Sequence, residues 1–330
     1  MKSRERIKNI IALEAGEERP GFWMGNPNDT SVDGLCNYFN KASLQEVRAH
    51  LGDELFWIPA DSSFCNPKGW TVFAGWAGVF SDIEAVEELD ALSWPSAGNA
   101  DFTPILEELT NAGDTYRLSG MWSQFFHDIS DMMGMENYFI AMYEKPEVVH
   151  ALTRRIVDIY KAANTRLFGL AKGEIDAFFF GNDLGTQIST LVSPSMFKEF
   201  ILPYMKELVD IAASHNLSVV LHSCGAITSF IPDFIALGVD AIHPVQIKAE
   251  GMDVDSLRPY RSSIAFIGGI DTQELLRSGT KEEIEAEVDR VYQSLGPNIV
   301  ISPSHESILP DVPPRNIEIV SKSVYAMGGQ

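Results

Sequence analysis

The stretch SVVLHSCGA, residues 218–226, reads as a short buried strand that ends in two metal-ligating side chains. Val219, Val220 and Leu221 form an apolar, β-rich run. His222 and Cys224 follow at its carboxyl end, and side chains two apart on extended chain point to the same side. Gly225 then releases the chain into a turn. An imidazole and a thiol aimed at one point suit zinc. The same residues also fit a small buried Cys beside a hydrogen-bonded core His.

Working outward, the same arrangement recurs. Strands are expected at 22–24, 55–58, 116–121, 176–180, 219–222, 240–243, 264–267 and 299–302. Helices are expected between the later ones, at 123–133, 136–144, 147–172, 194–215, 228–237, 272–277, 281–295 and from 316 onward. Strand and helix alternating in this way imply parallel β/α units. About eight units in this length predict a (β/α)8 barrel, with an open doubly wound sheet as the alternative. The chain before Tyr116 is less regular, with helices at 3–14, 43–50 and 101–112 and a Gly- and Trp-rich loop or hairpin at 69–79. It is expected to extend over the barrel mouth. No low-complexity linker, repeat or shift in composition divides the chain, so residues 1–330 are read as one domain.

Barrel chemistry sits in the loops after the carboxyl ends of the strands. Those loops carry Asp183 after the 176–180 strand, His222 and Cys224 after the next, then His243 and Gln246, then Asp271, then His305 and Glu306. Five successive strands thus end in titratable or metal-binding groups, which implies one polar site at one mouth. Bland readings stand beside each. His243 could only bond a backbone carbonyl, Asp271 could only cap a helix, and His305 could be a surface residue. The Pro-rich segment around His305 is stiff and would hold it in place.

The chain has 330 residues, 45% of them apolar, and a net charge of −21. That charge argues against nucleic acid and anionic membrane surfaces as partners. No apolar run reaches the ~18–20 residues that span a bilayer, and the amino terminus lacks the apolar core of a secretory signal. Three irregularly spaced cysteines, Cys36, Cys65 and Cys224, make no disulfide framework, so a cytoplasmic location is expected.

Several segments resemble the uroporphyrinogen decarboxylase superfamily: SRERIKNII (3–11), SGMWSQFFHDISDMMGMENYFIAMYEKPE (119–147), DLGTQISTLVSPSMFKEFILPYMKELVD (183–210), LHSCGAI (221–227), GVDAIHPVQ (238–246), FIGGIDTQELL (266–276) and ISPSHESILPDVPPRNI (301–317). The resemblance implies a (β/α)8 barrel and one of two activities. The haem-pathway decarboxylase grips its polyanionic substrate through an Arg-rich stretch near the amino terminus. Here that stretch reads FWMGNPNDTS (22–31), with no Arg between Arg19 and Arg48. The other activity is methyl transfer from a methylated corrinoid to a thiol, as in the methylcobalamin:coenzyme M methyltransferases. Their zinc site joins an H-x-C after one strand to a Cys after a late one. His222 and Cys224 match the first part, and His305 stands about where the Cys would be.

The resemblance therefore implies a zinc-dependent methyltransferase with metal ligands His222, Cys224 and His305. Asp183 and His243 take catalytic or orienting roles, and Asp61, Gln187, Gln246 and Asp271 are expected to contact substrate. Methylcobalamin or another corrinoid is the expected methyl donor, presented by a separate corrinoid protein to a small thiol substrate. The alternative is a decarboxylase-like lyase acting on a tetrapyrrole or a smaller carboxylic acid, with Asp183 or Asp61 handling the charge. A third possibility is a silent carrier of a corrinoid or tetrapyrrole.

Overall fold

Phe178, Phe179 and Phe180 show how the chain makes its walls. Phe179 packs inside a ring of strands, while Phe178 and Phe180 face the surrounding helices. Buried on both faces, such strands are apolar at every position rather than alternating. The computed structural model describes residues 1–16, 18–64 and 72–329. Eight parallel strands form one sheet: β1 (Gly21–Phe22), β2 (Leu55–Pro59), β3 (Tyr116–Gly120), β4 (Ala177–Gly181), β5 (Ser218–His222), β6 (Ala241–Val245), β7 (Ala265–Ile270) and β8 (Ile299–Pro303). Each pairs with its sequence neighbour from β2 to β8, and β8 returns to pair with β1. The remaining seam, β1 to β2, carries a backbone hydrogen bond from Glu54 N–H to the Phe22 carbonyl, 3.0 Å. The result is a nearly closed (β/α)8 barrel, not an open sheet.

Ala177, Ala241 and Ala265 share the barrel interior with Trp23, Leu55, Tyr116, Trp122 and Phe179. Small residues beside large ones let the layers fill the ring. The outer core lies between strands and helices, of which the 26-residue Pro146–Ala171 is the longest.

The segment before Tyr116 divides its work. It supplies β1 and β2. Its helix Ser3–Ile11 packs Ile7, Ile10 and Ile11 against the interior cluster, with Gly21 leaving room for the Ile7 side chain. Its turn at Asn26–Pro27 pairs with Ser307–Ile308, and so flanks the loop that follows β8. The residues after β2, Asp61–Phe64 among them, also follow the carboxyl end of a barrel strand. Of the loop read at 69–79, residues 69–71 lie outside the described residues, as does Cys65. From residue 72 the chain runs in turns that bury Phe73 against Trp76, Trp94 and Tyr160. The helix expected at 194–215 is interrupted: Pro194–Met196 and Leu202–Ser214 flank a π-helical turn, Phe197–Ile201. Pro203 lies in the first turn of the second helix, where its missing N–H is not needed.

Candidate metal centre

β5 delivers His222 at its last position, buried, and Cys224 two residues on, half-buried. The residue between them points elsewhere: the Ser223 hydroxyl accepts the Leu184 N–H at 3.0 Å. That bond holds the loop after β4, which carries Asp183. The Asp183 carboxylate accepts the Cys224 backbone N–H at 2.9 Å and stands 3.2 Å from His222 Nε2. Cys224 Sγ lies 3.5 Å from the same nitrogen. Ligand atoms of Asp183, His222 and Cys224 lie within 4.8 Å of one another.

The other face of the imidazole is also engaged. His222 and His243 are register partners on β5 and β6, and their Nδ1 atoms stand 3.0 Å apart. Glu306 Oε2 lies 3.6 Å from His222 Nδ1. His222, His243 and Glu306 form a second set of ligand atoms within 4.8 Å. Two atoms here are buried without a hydrogen-bond partner, His243 Nε2 and Glu306 Oε2. Burying unpaired polar atoms is costly unless something satisfies them. Beneath both rings lie the barrel's aromatics, with Trp122 against His222 at 5.1 Å and Trp23 and Phe179 against His243 at 5.1 and 5.4 Å between centroids.

The electrostatics are divided between the two rings. Burial opposes a charge on His222, but Glu306, Asp183 and Cys224 outweigh it and hold its pKa well above the ordinary imidazole value. Burial, then His222 and His305, push His243 well below that value. The two rings thus meet across one 3.0 Å contact with opposite electrostatics, His222 favouring a charge and His243 opposing it. Burial also works against the Asp183 carboxylate, yet His222 and the Cys224 N–H hold its pKa below the ordinary carboxylate value.

The sequence-derived candidates separate into three places. Asp183, His222, Cys224 and His243 converge. His305 is 40% exposed in its side chain, its Nδ1 accepts the Ser307 N–H at 3.0 Å, and its ring lies 6.4 Å from that of His222. A hydrogen bond to Cys224 is the main cause of its raised pKa. It belongs to neither compact set of ligand atoms, and its chain neighbour Glu306 does. Gln187, Gln246 and Asp271 line an adjoining cavity that His305 also borders. Asp271 spends its carboxylate on the N–H groups of Gln273, Glu274 and Leu275, as a helix cap does. Asp61 stands apart, buried after β2, accepting the Trp122 N–H at 2.8 Å with its other oxygen unpaired. Burial pushes its pKa up to about 7.

A parallel barrel with convergent imidazole, thiol and carboxylate at its carboxyl mouth is the architecture of a barrel enzyme. The uroporphyrinogen decarboxylase (URO-D) family profile matches residues 80–327, and the chain belongs to that enzyme superfamily. Two curated relatives are each described as methylcobamide:CoM methyltransferase MtbA. The Methanosarcina mazei protein is 28% identical over 104 residues, and the Methanosarcina acetivorans protein is 26% identical over 106. Each match covers 32% of this chain and 30% of the relative, so the chain spans under a third of the curated relatives it matches. Among solved structures, a methyltransferase from Methanosarcina mazei aligns over 99% of both chains with a TM-score of 0.73 at 16% identity. A putative vitamin-B12 independent methionine synthase from Listeria monocytogenes aligns over 94% of this chain and 97% of its own, with a TM-score of 0.50 at 10% identity. Both likenesses concern the fold. No helix among the described residues is long and apolar enough to cross a membrane.

Proposed function

We propose that this chain is a zinc-dependent methyltransferase that moves a methyl group from a methylated corrinoid, carried by a separate protein, to a small thiol. The observation that carries the reading is the convergence of His222 Nε2, Cys224 Sγ and Asp183 Oδ1 at the barrel mouth. Nitrogen, sulfur and oxygen donors of this kind suit zinc, and the two unpaired buried atoms beside them fit a site organised around a cation. His222 and Cys224 would hold the metal, with Asp183 and His305 as the further candidate ligands on either side. Zinc bound there lowers the pKa of a thiol that ligates it.

The chain's own residues do the rest. His243 and Glu306 fix the His222 ring from its Nδ1 side, which leaves Nε2 for the mouth. Asp183 fixes the backbone of Cys224 and so the direction of its thiol. In that reaction the acceptor sulfur would give up its proton to solvent and bond to the methyl carbon, and the electron pair of the cobalt–carbon bond would remain on the corrinoid. The curated relatives' printed activity supports the same reaction class.

Asp61 favours a second reading. A buried carboxyl that titrates near neutrality can protonate a carbanion, as a decarboxylase-like lyase requires. The two readings separate on metal content and transfer. Freshly purified protein should hold about one zinc per chain and move methyl from methylcobalamin to a thiol, seen as a change in visible absorbance. Protein that neither carries nor takes up zinc would rule the first reading out.

A further inference from the structure

The backbone around His305 is pinned to the amino-terminal segment. The Glu306 carbonyl accepts the Asn26 N–H at 2.6 Å, and the Ile308 carbonyl accepts the Asn28 N–H at 3.3 Å. Ser307, between them, pairs in register with Asn26. Its own N–H donates to His305 Nδ1 at 3.0 Å. Glu306 Oε2 lies 3.5 Å from the same nitrogen but takes no hydrogen bond from it. Nδ1 therefore turns a lone pair to the Ser307 N–H, and the ring carries its hydrogen on Nε2. A second hydrogen, on Nδ1, would point straight at that N–H.

A histidine that ligates a metal shows the opposite pattern, binding the ion with one nitrogen and donating the other N–H. His222 has room for this, with Nε2 toward Cys224 Sγ and Asp183 and Nδ1 beside Glu306 at 3.6 Å. His305 does not. Ligation through Nε2 would strip the ring of its one N–H hydrogen, and ligation through Nδ1 would break the bond to Ser307. Asp183 needs no such change. Its Oδ1 lies 3.2 Å from His222 Nε2 and is oriented by the Cys224 N–H at 2.9 Å. His305 is also hydrogen-bonded to the Cys224 side chain. With Nδ1 taken by Ser307, that bond runs from Nε2–H to sulfur.

We infer that Asp183 is the third protein ligand of the metal and that His305 stays outside the coordination sphere, donating Nε2–H to the Cys224 sulfur. The inference rests on the methyltransferase reading and assigns two residues within it. A donor on a thiolate draws charge away from the metal, so the metal polarises an acceptor thiol more strongly. His305 is a positioning residue in this account, held by the turn that Asn26 and Ser307 share.

X-ray absorption at the zinc edge and cobalt(II) substitution test this. Zinc in the wild-type protein should show a single imidazole and a single sulfur, and His305→Ala should show the same. Asp183→Asn keeps an acceptor for the Cys224 N–H but not the charge, and should weaken zinc at least ~10-fold. In the cobalt(II) protein, His305→Ala should move the thiolate-to-cobalt charge-transfer band to lower energy, because sulfur without its donor gives up an electron more easily. His305→Gln, whose amide can donate in its place, should move the band back. A second imidazole on zinc, full zinc affinity in Asp183→Asn, or a band that stays put in His305→Ala would overturn the inference and leave the methyltransferase reading standing. Protein that binds neither zinc nor cobalt would remove both.

Discussion

His222 is the residue on which the site turns, because both of its nitrogens are used. The H-x-C spacing was readable in sequence, since period-two geometry is local. Its partner was not. His243 meets His222 only because β5 and β6 align those two positions, and register across strands is a non-local fact. The choice between His305 and Glu306 was hidden for a related reason. Neighbours in a loop point in different directions, and no periodicity says which faces inward. Two outcomes follow for single residues. Cys224→Ser should abolish zinc retention while leaving the melting temperature within a few degrees, because Asp183 accepts a backbone N–H that serine retains. Metal analysis beside a thermal melt checks this, and full zinc content in the variant would remove Cys224 from the ligand set. His243→Leu removes the partner of His222 Nδ1. Zinc affinity should fall about 10–100-fold, read by competition with a chromophoric chelator, and an unchanged affinity would reduce His243 to a core residue.

At the scale of elements, the site is built where the loops after β4 and β5 touch backbone to backbone. Gly225 has φ +84, and a Cβ there would stand 2.4–2.5 Å from the carbonyl carbon and oxygen of Gly185 and the oxygen of Thr186. Both the left-handed conformation and the close approach require glycine. Gly225→Ala should therefore cost about 1–3 kcal/mol and displace Cys224, lowering zinc affinity along with stability. Retention of both would show that the loops have slack. A second element effect concerns pH. Helix Phe125–Met133 buries Asp128 against Tyr160, whose hydroxyl donates to it at 2.6 Å, and burial pushes Asp128, like Asp61, up to about 7. The unfolded value is near 3.9. Between these limits the folded chain binds more protons than the unfolded one, so the contribution is fully present below ~3.9 and lost as pH rises through about 7. Denaturation at pH 5 and 7.5 should show stability falling with pH, and Asp128→Asn should lessen the fall. A wild-type chain equally stable at both, with the variant no different, would contradict the buried-acid account.

At the scale of the whole molecule, alternating strands and helices were legible from residue 116 onward, and so was the barrel. What the sequence concealed is how the ring closes. β1 has two residues, too short to make a ladder on both edges. Carboxylates replace the missing rungs: Glu54 Oε2 accepts the Phe22 N–H at 3.0 Å and Asp53 Oδ1 accepts the Met24 N–H at 3.1 Å. Arg19 holds the fully buried Glu54 through two nitrogens, at 2.9 and 3.0 Å, and Arg6 pairs with it as well. In sequence these are ordinary charges of an acidic chain, and nothing in their spacing marks them as closure devices. Glu54→Ala would leave the Phe22 N–H without an acceptor and Arg19 without its counter-charge in a buried place, while Arg6 would keep only Glu18, at 3.4 Å. Removing one partner of such a buried pair typically costs ~3–5 kcal/mol, a large part of the ~5–15 kcal/mol that holds a native protein together. Glu54→Gln keeps the shape and an acceptor for Phe22 but not the charge, so it should fall between. Chemical denaturation of the three proteins gives the ranking. Zinc affinity should fall in the same order, because β1 leads into Trp23, which packs on His243, and into the turn paired with Ser307–Ile308 beside Glu306. A loss below ~1 kcal/mol in Glu54→Ala would mean that the ring closes through its backbone and the carboxylates are incidental.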